Sequence, residues 1–167
     1  MGVAEGDRGG FLSVGELIAL ARTAPEHRLA PDERGVVHTA AGNAAWCPTM
    51  LARGDTLDDL WRFCVLQTLD DYASTLRWGG AQEAARVFAE EPAPTGAQQV
   101  DAALAALAEH LAERDGWEAP AWAGDPARTT TWYPDLLEMD RHEATHHGPK
   151  AFRRHGVFIT HRALGRA

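Results

Sequence analysis

The chain has 167 residues, 45% of them hydrophobic and 24% charged, enough for one domain with a real core and too few for two comfortable ones. With 16 Lys/Arg against 24 Asp/Glu the formal net charge is −8, which argues against broad nucleic-acid binding, because a phosphate backbone rewards a basic footprint. No apolar run reaches the length of a membrane span, and the opening MGVAEGDRGG lacks the apolar centre of a signal peptide, so the chain is expected in the cytoplasm.

Residues 1–10 read as a disordered N-terminus and 11–167 as a single helical domain, with an N-terminal half over 11–92 and a C-terminal half over 94–167. Ser13 and Glu16 make a capping box in front of VGELIALARTA, where Leu17, Ile18, Leu20 and Ala21 form an apolar stripe. That pattern predicts a helix over 13–23, stopped near Pro25. Residues 25–55 carry little periodicity, and 36–39 suit a short strand that would need a partner. Nothing in this stretch marks a catalytic site.

The strongest helix is predicted from Thr56 to Trp78, capped by Thr56 with Asp59 and ended by Gly79 and Gly80. Leu57, Leu60, Trp61, Cys64, Leu69, Tyr72, Ala73 and Leu76 mark its broad apolar face. Asp58 and Asp59 sit in the first turn, where carboxylates favour the helix dipole, and Asp70 with Asp71 lies three turns on. The two pairs cannot converge on one ion, so they read as a solvated acidic face. Cys47 and Cys64 are too far apart for a C-x-x-C motif, and Cys64 reads as a buried free thiol.

AQEAARVFAEE predicts a short helix ending before Pro92. The next helix, AQQVDAALAALAEHLAERDG, has Val100, Leu104, Leu107 and Leu111 at three- and four-residue spacing and Gly116 as its stop. It should pack on the helix that begins at Thr56, with His110 as a surface imidazole. Trp117, Trp122, Trp132 and Tyr133 then fall in a Trp/Pro-rich connector whose rings should plug gaps between helices. The end of the chain predicts a helix over PDLLEMDRHEATHHG, one or two turns from Pro149 to Gly156, and a short extended segment over 157–159. The expected fold is mainly α: a compact helical bundle with a Trp/Pro-rich connector and a short C-terminal extended segment.

Charge is unevenly spread. From Arg141 onward six Lys/Arg stand against one acid, Glu143, a net of +5 that leaves the preceding 140 residues at −13. A basic, His-rich end on an acidic body suits an anionic partner, or a tail that folds back onto its own acids.

HEATHHG at 142–148 contains H-E-x-x-H. On a helix this spacing sets His142 and His146 one turn apart as zinc ligands, with Glu143 beside them as general base. A third ligand must come from elsewhere, and His155 and His161 are the candidates considered, along with His147. Gly148 and Pro149 stop the helix within two residues of His146, and no acid follows Glu143, so the motif also reads as a half-exposed helix surface. G-x-S-x-G, G-x-x-x-x-G-K-[ST] and G-x-G-x-x-G are all missing, which removes the sequence support for elbow hydrolases, P-loop enzymes and dinucleotide binders.

Two stretches of the last third carry a further pattern. AALAALAEHLAERDGWEAPAWAGDPARTTTWYP followed by GPKAFRRHGVFITHRAL resembles a group of small actinobacterial proteins, many of them antitoxin-type partners from toxin–antitoxin loci. The matching residues include Glu109, His110, Leu111, Trp122, Arg128, Trp132, Pro134, Pro149, Phe152, Arg153, Arg154, Gly156, Phe158 and Ile159. The likeness covers about 100–167, and the helix-turn-helix with which such proteins often begin is not evident here. The resemblance implies a protein that acts through a protein partner, as an antitoxin-like neutraliser or an accessory subunit, with Arg153, Arg154, Phe158 and Trp122 as partner-binding anchors. On that reading no cofactor, membrane or nucleic acid is expected, and the protein is not itself an enzyme. The alternative is a small zinc-dependent hydrolase or lyase built on His142, Glu143 and His146. A third reading is a metal-free His acid/base enzyme whose anionic substrate is held by Arg141, Arg153 or Arg154.

Overall fold

The computed structural model describes residues 38–165. Contacts divide the chain into two units, Met1–Arg34 and Gly35–Ala167, and every described residue belongs to the second. The stretch 1–10, the predicted helix over 13–23 and the first two residues of the expected strand over 36–39 lie outside the described residues. Thr39, the last residue of that expected strand, caps a helix instead. Its hydroxyl accepts the Gly42 amide at 3.0 Å, and α1 (Ala40–Ala44) follows. In α2 (Cys47–Ala52) Pro48 occupies the first turn, where its missing N–H is not needed.

The expected capping box opens α3 (Leu57–Leu60): the Thr56 hydroxyl accepts the Asp59 amide at 3.2 Å, and the Asp59 carboxylate accepts the Thr56 amide at 2.9 Å. The helix then widens. Trp61–Leu66 is π-helical before α4 (Gln67–Ala85) resumes ordinary geometry. The wider turn lets Trp61, Cys64, Val65 and Leu66 all be buried. Gly80, at φ 75° and ψ −179°, breaks α4 where the glycine pair is expected to end it. The chain runs on as a short helix to the 3₁₀ turn Arg86–Phe88, ahead of Pro92.

At the centre of the core lies α5 (Gln98–Asp115), and it is surrounded rather than amphipathic. Every residue from Ala102 to Ala108 is buried, as are Val100 and Leu111. Alanines let neighbours approach on several sides, so α5 meets α3, the π-helical segment and α4, as expected, and also the 3₁₀ turn Ala121–Gly124. Gly116, left-handed at φ 75° and ψ 38°, closes it.

The connector plugs the core with its rings. Trp117 stacks on Phe88 with centroids 5.9 Å apart, Trp132 meets Trp61 edge-on at 5.9 Å, and the Trp122 indole donates to the Phe88 carbonyl at 3.1 Å. The expected extended segment finds its partner in this connector. Trp132 and Val157 form an isolated parallel bridge, with the Trp132 amide donating to the Gly156 carbonyl at 2.9 Å and the Phe158 amide to the Trp132 carbonyl at 2.8 Å. A Cβ on Gly156 would fall 1.6 Å from the Thr130 carbonyl oxygen, and its φ is +71°, so only glycine lets the two segments meet.

The helix expected from Pro134 begins later. Asp135 takes a positive φ of 45°, fixed by the Asp58 carboxylate on its amide at 3.0 Å and by Arg62 at 2.9 Å. A 3₁₀ turn, Glu138–Asp140, leads into α6 (Arg141–His147), then α7 (Lys150–Arg154), which packs on α5, and the 3₁₀ turn His161–Leu164. Among the described residues the fold is mainly α with no strand, and no helix is long and apolar enough to cross a membrane.

Candidate functional site

The H-E-x-x-H residues occupy a seven-residue helix rather than the interior of a long one. His142 and His146 are exposed and stack with ring centroids 4.4 Å apart, and His146 Nδ1 donates to the His142 carbonyl at 3.0 Å. Glu143 faces Arg162 at 3.5 Å, and the same guanidinium bonds Asp140 at 2.9 Å.

Of the three candidates for a third ligand, His147 lies beside His146 on the same helix, and the other two go separate ways. His155 is buried, its Nδ1 donating to the Arg128 carbonyl at 2.6 Å and its Nε2 lying 3.1 Å from the Glu109 carboxylate. Both ring nitrogens are therefore used inside the fold, which corrects the expectation that His155 could serve as a ligand. His161 is exposed and lines an open cavity of about 510 Å³ together with His110, His146 and His147. Among the described residues no three His, Cys, Asp or Glu side chains are grouped so as to hold a metal ion.

That cavity gathers charge from four elements. From α5 come His110, Glu113 and Arg114, from α6 His146 and His147, from α7 Lys150 and Arg153, and from the last turn His161. Burial holds the His110 imidazole below its ordinary pKa, helped by the nearby Arg114 and His161. Gly148 forms part of the wall because nothing larger fits: a Cβ there would lie 2.3 Å from the Ile159 carbonyl oxygen and 2.6 Å from that of Ala144.

The four expected partner anchors divide in two. Arg153 turns toward the cavity, with its Nε donating to the Gly148 carbonyl at 3.0 Å, and Phe158 is half-buried, stacked on Tyr133 at 4.9 Å. Arg154 is spent on the chain's own acids, reaching Glu109 at 2.8 Å and Glu113 at 2.6 Å. Trp122 is 8% exposed, with the Arg128 guanidinium 5.1 Å above its ring. The expectation that Trp122 is a partner anchor is thus corrected: its ring fills the core, as expected of the connector, and its N–H is already satisfied. Arg141, the third reading's other anion holder, lies 4.7 Å over the Tyr133 ring.

Sequence reasoning missed a different surface. Trp46, at the start of α2, and Phe63, in the π-helical segment, are 69% and 65% exposed and share a cavity of about 320 Å³ with Asn43, Met50 and Arg53. Residues 25–55 gave no periodic signal, and a tryptophan two residues ahead of a proline was the only cue. The same two elements place Cys47 and Cys64, both buried free thiols, close to one another, and that neighbour together with burial pushes the Cys64 thiol up.

Comparison with known protein families, curated proteins and solved structures finds no match to the chain.

Proposed function

We propose that the protein acts in the cytoplasm by binding a protein partner, as an antitoxin-like neutraliser or as an accessory subunit of a partner enzyme. The observation that supports this reading is the pair of large aromatic side chains, Trp46 and Phe63, left in solvent on either side of one cavity. Adjacent exposed rings gain most when a partner covers them, and tryptophan is prominent among residues that dominate interface energies. The reading moves the principal contact from the C-terminal element, where Arg154 and Trp122 are committed within the fold, to α2 and the π-helical segment.

The test is to replace Trp46 and Phe63 together by Ser and to measure affinity for the product of a co-transcribed gene, alongside growth rescue if that product is toxic. Binding should weaken at least roughly tenfold while the fold is kept. Loss of binding only on changing Arg153 and Arg154 to Glu would return the surface to the C-terminal element. Unchanged affinity in both variants would end the partner reading.

A further inference from the structure

We propose that the cavity between α5, α6 and α7 is a binding site for the phosphate group of a small metabolite, held by Lys150, Arg153 and the imidazoles of His146, His147 and His161. Its wall carries three permanent cations, Lys150, Arg153 and Arg114, of which Arg114 is paired with Asp115, and four histidines against one carboxylate, Glu113. That carboxylate is already engaged by Arg154 at 2.6 Å, so it does little to offset the cavity's charge.

The other neighbouring acids are also committed. Glu109 takes Arg154 and His155, Asp115 takes the Nε and one Nη of Arg114, and Asp140 and Glu143 face Arg162. Among the described residues Lys150 has no ion-pair partner, and Arg153 uses its Nε on the Gly148 carbonyl. Cations crowded around one open volume repel each other unless an anion sits between them. The rest of the guanidinium fork of Arg153, an ammonium and several imidazole N–H groups approaching from three elements suit the oxygens of a tetrahedral, multiply charged anion.

A metal cation fits poorly, because the lining is positive and no three-ligand group is formed among the described residues. The volume of about 510 Å³ exceeds a lone phosphate and falls within the range of small-molecule sites, so the phosphate would be one end of a larger ligand. The site is independent of the aromatic pair, which lies on α2 and the π-helical segment. Either proposal can fail without the other.

Inorganic phosphate is the probe, titrated near neutral pH to about 20 mM at ionic strength held with sodium chloride, while histidine ring resonances are followed by NMR. The His146, His147 and His161 rings should shift with one common dissociation constant, and the enclosed His155 should not. Lys150→Gln, at an exposed position, should weaken that constant at least roughly fivefold, and His147→Gln should act in the same direction. Unmoved rings, an equal response to chloride alone, separate constants for the three rings, or a constant unchanged in both variants would overturn the proposal.

Discussion

Arg154 donates to the Glu109 carboxylate at 2.8 Å, and the buried His155 meets that same carboxylate at 3.1 Å. The basic end of the chain thus closes onto its own acidic body at α5, where Arg154 also reaches Glu113. The two contacts with Glu109 are unequal. Arg154 is half exposed, so Arg154→Ala should cost below about 1 kcal/mol. Glu109→Ala leaves His155 Nε2 buried without an acceptor and should cost about 2 kcal/mol. Urea denaturation of the two variants checks the order, and equal losses would refute it.

Gly156 should tolerate no side chain. Gly156→Ala combines a left-handed φ with a clash against the Thr130 carbonyl, and a loss above about 3 kcal/mol is expected. Gly124, with open space where a Cβ would stand, supplies the control, and Gly124→Ala should stay within about 0.5 kcal/mol. Denaturation midpoints of the pair measure the contrast.

Stability should fall in acid partly through Asp115. Hydrogen bonding from Arg114, and then from the Tyr72 hydroxyl at 2.6 Å, holds its carboxyl below the ordinary range. The unfolded chain therefore takes up the proton first. The contribution is complete above the unfolded carboxylate pKa of about 4 and is lost as pH falls through the lower folded value. Asp115→Asn should be less stable than the native chain at neutral pH, with the gap closing toward pH 2. A gap that widened in acid would contradict this assignment.

Tyr72→Phe tests the other side of the same network. The Trp117 indole donates to the Tyr72 oxygen at 2.8 Å, and removing that acceptor leaves a buried N–H unpaired. A loss of about 1–3 kcal/mol is expected by calorimetry or denaturant titration.

Zinc content settles the H-E-x-x-H motif. Two imidazoles on a short helix, with no three-ligand group formed among the described residues, predict tag-free protein, purified without chelator, to hold well below one zinc per chain. One zinc per chain that vanished in His146→Ala would restore the zinc-enzyme reading.

Local signals in the sequence were legible where a few neighbouring residues decide the outcome. The Thr56/Asp59 box, the breaks at Gly80 and Gly116 and the plugging role of Trp117 follow from capping, backbone freedom and ring size. What stayed hidden depends on partners far along the chain. His155 looked like its neighbouring histidines until Glu109 and Arg128, 46 and 27 residues away, claimed its nitrogens. Trp46 and Phe63 line one cavity only because α2 and the π-helical segment fold together, and no spacing in the chain encodes their exposure. The histidine cavity likewise joins His110 of α5 to residues from His146 to His161, far along the chain.

The π-helical segment makes the fold sensitive to how the helix is wound as well as to chemistry. An α-helix turns by about 100° per residue, and the wide turn at Trp61–Leu66 takes up one extra residue without advancing that phase, so the same residues wound as an even α-helix would rotate everything after them by about that angle. Tyr72 would then swing away from Asp115 and Trp117, and Thr68 away from Asn43. Losing the wide turn while sparing every contact residue would still unmake the contacts, because that turn sets the phase between the two ends of the helix.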